Sequence, residues 1–160
     1  MFKPVNRQDI PKLLDEIEGY YENERFERGQ FEKYLFSEKS IDAEDKSMFY
    51  VLFEGKKCLA LAYLNKVPED FILIAQVSSV VRGYGKPLIE NIIEMSKNLW
   101  WAANPNGGEK LVDYYRQFGL KEVTFDNVKW VDGRSETFFY KAETASDEVR
   151  LLAYLKAATV

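Results

Sequence analysis

The chain has 160 residues, 46% of them hydrophobic and 15% aromatic, with a net charge of -4 and no histidine. That length and apolar content suit one domain with a well-buried core and exclude a largely disordered chain. The negative balance argues against a nucleic-acid partner. The lack of histidine removes serine–histidine and cysteine–histidine catalysis and the common histidine zinc sites. No apolar run approaches the roughly 20 residues of a membrane helix.

Cys58 is the sole cysteine, so no internal disulfide forms. Beside Leu59-Ala60-Leu61-Ala62 it reads as a small core residue. Arg7, Asp9 and Lys12 interrupt any apolar leader. A cytoplasmic protein is therefore expected, with no metal and no membrane.

In chain order, Phe2 to Val5 reads as a short strand. Asp9 is a candidate N-cap with Pro11 in the first turn, and Ile10, Leu13, Leu14, Ile17 and Tyr21 recur at helical spacing. A second helical stretch spans about Glu27 to Phe36, and Ser37 to Lys46 reads as a polar loop. Met48 to Phe53, Cys58 to Asn65 and Phe71 to Val77 are three strand-like runs separated by Gly55-Lys56-Lys57 and Val67-Pro68-Glu69-Asp70, which favours an antiparallel meander. From Lys86 the apolar residues Leu88, Ile89, Ile92 and Ile93 form a helical stripe. Leu99 to Ala103 is a buried strand, Glu109 to Phe118 a helix closed by Gly119, and Val123 to Val131 with Glu136 to Lys141 a hairpin. Ser146 to Ala157 has the pattern of a final amphipathic helix. With no repeat or linker, residues 1–160 read as a single domain, with 142–160 an added C-terminal helix. The fold class is α/β: a mixed, mostly antiparallel sheet with helices on its faces.

The segment that bears on chemistry is the strand ending near Val77, the loop Ser78 to Gly85 and the helix that follows. Glycines let a backbone approach a ligand closely. The first N–H groups of a helix are unpaired and sit at its positive end. Arg82 and Lys86 add formal charge, so the segment suits a pyrophosphate. No Gly-Lys-Ser/Thr closes the loop, which excludes a nucleotide P-loop, and the dinucleotide fingerprint would need a further glycine.

Arg82-Gly83-Tyr84-Gly85-Lys86-Pro87 is similar to the pyrophosphate loop Gln/Arg-x-x-Gly-x-Gly/Ala of the GNAT superfamily of coenzyme A-dependent N-acyltransferases. Tyr114-Tyr115-Arg116-Gln117-Phe118-Gly119-Leu120 resembles a later motif of that family, in which a tyrosine precedes Gly-Phe by a helical turn. The order of elements also matches over about residues 1–141. The resemblance implies an N-acetyltransferase that moves an acetyl group from acetyl-CoA to a primary amine of a small-molecule or protein acceptor. It implies that Val77 and Ser79 bind the pantetheine arm through backbone groups, and that Arg82, Gly83, Tyr84, Gly85 and Lys86 cradle the pyrophosphate. It assigns Tyr115 the protonation of the departing thiolate. Glu69, with Asp70 beside it, falls near the family's amine-deprotonating glutamate.

Each of these residues has a plainer use. Tyr115 can be a core aromatic, Glu69 a solvated turn carboxylate, and Gln76, Ser78 and Ser79 can spend their hydrogen bonds within the sheet end. The sequence also departs from the family. Pro87 lacks an N–H at the end of the loop, the family's frequent asparagine before the second helix has no clean match although Asn104, Asn106 and Gly108 fall nearby, and Leu111 replaces a small residue. These departures keep open a second reading, a catalytically silent GNAT-like binding module in which Leu151, Leu152 and Leu155 serve a partner. Trp100 and Trp101 must point to opposite faces of their strand. Trp130, Phe138, Phe139 and Tyr140 fit core packing better than an acceptor cleft or a homodimer contact. The acidic run Asp15, Glu16, Glu18, Glu22, Glu24 reads as a solvated helix face, with attraction of a basic acceptor as the alternative.

Overall fold

Periodicity of two alternates with periodicity of 3.6 along this chain, and the elements follow. A computed structural model describes residues 1–19, 28–29, 31–32, 47–103 and 108–159. The second helical stretch and the polar loop expected between Glu27 and Lys46 lie largely outside them. The seven strands among the described residues are β1 (Phe2–Val5), β2 (Ser47–Glu54), β3 (Lys57–Lys66), β4 (Ile72–Ser79), β5 (Leu99–Ala102), β6 (Lys121–Val128) and β7 (Arg134–Lys141). They form one mixed sheet in the order β1-β2-β3-β4-β5-β7-β6. The pairs β1–β2, β2–β3, β5–β7 and β6–β7 are antiparallel, and β4–β5 is parallel. The helices among the described residues are α1 (Ile10–Glu18), α2 (Gly85–Met95), α3 (Gly108–Arg116) and α4 (Ala145–Ala157).

The chain divides into two compact units. The first comprises Met1–Lys66 and Ile74–Met95. Its core joins Ile10, Leu13, Leu14 and Ile17 of α1 to Phe49 and Val51 of β2 and Cys58, Leu61 and Tyr63 of β3. Alternation puts Ala60, Ala62 and Leu64 on the other face of β3, where α2 packs, so Leu59 to Leu64 are all buried. Each large apolar side chain so buried contributes about 1.5–3 kcal/mol. Cys58 is fully buried, and its desolvated thiol is pushed up to about 12.

Asp9 occupies the N-cap of α1, but its carboxylate makes no cap hydrogen bond. Arg7–Asp9 already winds into a 3-10 turn, so Asp9 has helical rather than extended backbone angles and its side chain is turned from the free N–H groups.

The second unit comprises Val67–Leu73 and Ser96–Val160. Trp100 joins Phe71, Phe138, Tyr140, Leu151 and Leu155 on one face. Trp101 meets Tyr115, Phe118 and Phe139 on the other. Both indoles are thus buried by their own unit, one under α4 and one under α3. The added helix α4 covers the sheet: Leu151 and Leu155 are fully buried, which withdraws them from the partner-binding role considered for them. Its first turn is capped by Thr144, whose hydroxyl accepts from the Asp147 N–H at 3.1 Å. The strand expected to reach Val131 stops at Val128, and Lys129–Val131 forms a 3-10 turn. Asn127 and Asp132 both adopt positive φ (57° and 55°), which breaks the extended run on either side of that turn.

Candidate active site

β4 hands over to α2 through a loop pinned at two points. The N–H groups of Val80 and Val81 both donate to the Leu59 carbonyl, at 2.9 and 3.0 Å, and bend the chain over the start of β3. Six residues on from β4's last position, the Gly85 N–H donates to Ser79 Oγ at 2.8 Å. Ser79 therefore caps α2 with its side chain, a use beyond the backbone contacts expected of it. Gly83 takes φ +92°, a conformation that disfavours any side chain. Gly85 is buried, and a Cβ there would sit 2.8 Å from Ser79 Oγ.

The remaining donors define what the loop offers. Tyr84 N–H reaches the Val81 carbonyl at 3.3 Å, and Leu88 N–H the Tyr84 carbonyl at 3.3 Å. The N–H groups of Arg82, Gly83 and Lys86 have no protein acceptor among the described residues. Arg82 and Lys86 are exposed, Pro87 brings no N–H, and its carbonyl accepts from Asn91 Nδ2 at 2.7 Å. Three N–H groups without a described acceptor, two cations and the N-terminus of an eleven-residue helix thus meet at one loop, a donor set whose chemistry suits an anion. The residues present fit the pyrophosphate of coenzyme A. Val77 lies earlier on β4, whose residues Ile72 to Ser79 are all half-buried. Among the described residues, β4 pairs with β5 at Ile72–Leu99 and Leu73–Trp100. A cavity of about 520 Å³ in the same unit, lined by Asn6, Arg7, Met48 and Phe49, contains none of these residues.

Tyr115 lies on α3 in the second unit. Its ring is half-buried, 5.3 Å from Trp101, 5.8 Å from Phe139 and 5.6 Å from Tyr114. Burial raises its phenol above the ordinary value, with Tyr114 adding to the shift. The plainer aromatic-packing role is thus present, together with a phenol held in its neutral form. Tyr115 OH has no protein partner among the described residues.

Glu69 precedes β4, whereas the glycine loop follows it. It has a positive φ of 53°, and its carboxylate is ion-paired with Arg150 Nη1 of α4. The same guanidinium holds Asp70 at 3.2 Å and Asp147 at 2.7 Å, and lies 5.4 Å from the centre of the Phe71 ring. Arg150 holds the Asp147 carboxyl below the usual range, with the Thr144 hydroxyl adding to the effect. Among the described residues, no contact joins Glu69 to Tyr115. Arg150 was invisible as a partner of Glu69 because 81 positions separate the two.

The acidic run on α1 is partly spent internally. Arg28 pairs with Asp15 at 2.7 Å, with Glu18 at 2.9 Å and with Glu32. Glu22 and Glu24 lie outside the described residues.

This architecture is the GNAT acyltransferase fold. A protein from Desulfovibrio desulfuricans assigned to the GNAT acetyltransferases superposes with a TM-score of 0.62 at 10% identity, over 90% of this chain and 99% of that one. One so assigned from Bacteroides thetaiotaomicron gives 0.58 at 15% identity, over 100% and 99%. A Bacillus subtilis acetyltransferase in complex with CoA gives 0.50 at 14% identity, over 74% and 94%. No protein-family model matches the chain, and no curated protein matches its sequence.

Proposed function

We propose that the chain is an N-acetyltransferase that moves an acetyl group from acetyl-CoA to a primary amine. The observation that carries this reading is the loop from Ser79 to Lys86, where Arg82, Gly83 and Lys86 leave their N–H groups unspent at the start of α2. A fold shared with a protein crystallised with CoA supports it.

Acetyl-CoA, as co-substrate, supplies an activated thioester carbonyl. The loop amides, Arg82 and Lys86 bind its diphosphate, and backbone groups of Val77 and Ser79 hold its pantetheine arm. A main-chain N–H near Val77 donates to the carbonyl oxygen as that oxygen gains charge. The amine nitrogen forms the new C–N bond, the C–S bond breaks, and the nitrogen gives its second proton to water. Tyr115 gives its phenolic proton to the thiolate and is reprotonated from solvent. The ammonium acceptor first loses a proton, to Glu69 or to bulk water. Arg150 already occupies Glu69, so Glu69→Gln separates the two routes: unchanged turnover assigns the step to water.

The test is release of free thiol from acetyl-CoA over a panel of amines, with coenzyme affinity measured by calorimetry. Arg82→Ala should weaken acetyl-CoA binding by about fivefold or more, the loss of one charge-assisted contact. Unchanged affinity would remove the loop from the site. Pro87, which withholds one N–H from the first turn of α2, favours a second reading, a GNAT-like module that binds without turnover. Coenzyme binding with no thiol release over the panel would select it.

A further inference from the structure

Tyr115 has an orientation problem. Its hydroxyl has no protein partner among the described residues, so within them it is the packing of its ring that aims it. That packing is supplied by a corner of two side chains. Trp101 of β5 and Phe139 of β7 are directly paired across their strands, and their rings stack at 5.8 Å with 24° between planes. The Tyr115 ring stands edge-on to both, at 71° to Trp101 and 63° to Phe139, and Tyr114 closes a third side. Phe118, one turn further along, backs the indole at 6.4 Å.

Trp101 is 3% exposed, and its indole N–H has no acceptor among the described residues. A buried donor left unused is unfavourable, so this residue contributes through the shape and area of its ring. We propose that Trp101 is a positioning residue for Tyr115: its indole forms the wall that fixes the direction in which the phenol delivers a proton. The inference rests on the reading of Tyr115 as the proton donor to the thiolate.

The test is a double-mutant cycle on Trp101→Leu and Tyr115→Phe. It is read as kcat for thiol release from acetyl-CoA, with an equimolar mixture of spermidine, lysine and kanamycin as acceptors, and as acetyl-CoA Kd by calorimetry. Trp101→Leu should lower kcat about tenfold and leave Kd within about twofold, because a proton donor misaimed by an ångström loses rate without losing coenzyme contacts. Trp101→Phe, which keeps a flat wall, should restore kcat to within about threefold. In the Tyr115→Phe background, Trp101→Leu should add less than about twofold, since the group it aims is gone.

Losses that multiply in full, or a Kd that moves as much as kcat, overturn the proposal. Full turnover by Tyr115→Phe alone is a different failure: it removes the donor itself, and the positioning role with it. An absence of thiol release by the parent chain overturns the transferase reading and this inference together. If Trp101→Leu does not fold, Phe118→Leu runs the same cycle from behind the indole with the same expected outcomes.

Discussion

A methyl group on Gly85 would land 2.8 Å from Ser79 Oγ, against the hydroxyl that accepts the Gly85 N–H. Gly85→Ala should therefore displace the cap of α2. A stability loss of about 1 kcal/mol is expected in thermal melts, with acetyl-CoA affinity down about tenfold by calorimetry. Tyr115 makes a prediction in pH. Burial favours its neutral form, so the phenol stays protonated through neutrality and loses its proton only above the free value of about 10. On the proposed mechanism kcat should fall above about pH 10, and Tyr115→Phe should lack that falling limb. At this scale the glycines were legible because positive φ and close approach exclude other side chains. The side-chain cap by Ser79 was not, because a serine's partner depends on the path of the loop around it. The ion pair of Glu69 was hidden for a similar reason, since only the packing of α4 brings Arg150 to it.

Elements were legible where one periodicity ran unbroken. α2 and α4 keep an apolar stripe at 3.6 residues, and β3 keeps its run from Cys58 to Leu64; all three appear within a residue or so of where the pattern puts them. The readings failed at ends, where local angles decide. Asn127 and Asp132 at positive φ close β6 early, and a 3-10 turn takes the N-cap role away from the Asp9 side chain. α4 offers the cleanest test of an end. Thr144→Ala removes the hydroxyl that accepts from Asp147 N–H and should cost about 1 kcal/mol in a chemical or thermal melt. The same terminus responds to acid. Arg150 depresses the Asp147 carboxyl, so its stabilising effect is complete above the ordinary aspartate range and is lost as pH falls through the lowered value. Asp147→Asn should flatten that part of the melting-temperature profile below about pH 4.

For the whole molecule, the architecture was readable because two motifs and the element order agreed, and agreement across levels is what specifies a fold. The acceptor was not readable. An acidic run suggests cations, but Arg28 spends Asp15 and Glu18 within the protein. A coenzyme held only by the native protein must raise its melting point, by the equivalent of about 2.7 kcal/mol at a hundredfold excess over Kd. Acetyl-CoA should produce that shift, and Arg82→Ala should shrink it. Cys58 settles how turnover can be watched. Sealed under α1 and held in its uncharged form, the lone protein thiol should be inert toward disulfide reagents in neutral buffer. Every sulfhydryl such a reagent counts during a reaction is then one that left the donor, and the native chain supplies its own blank.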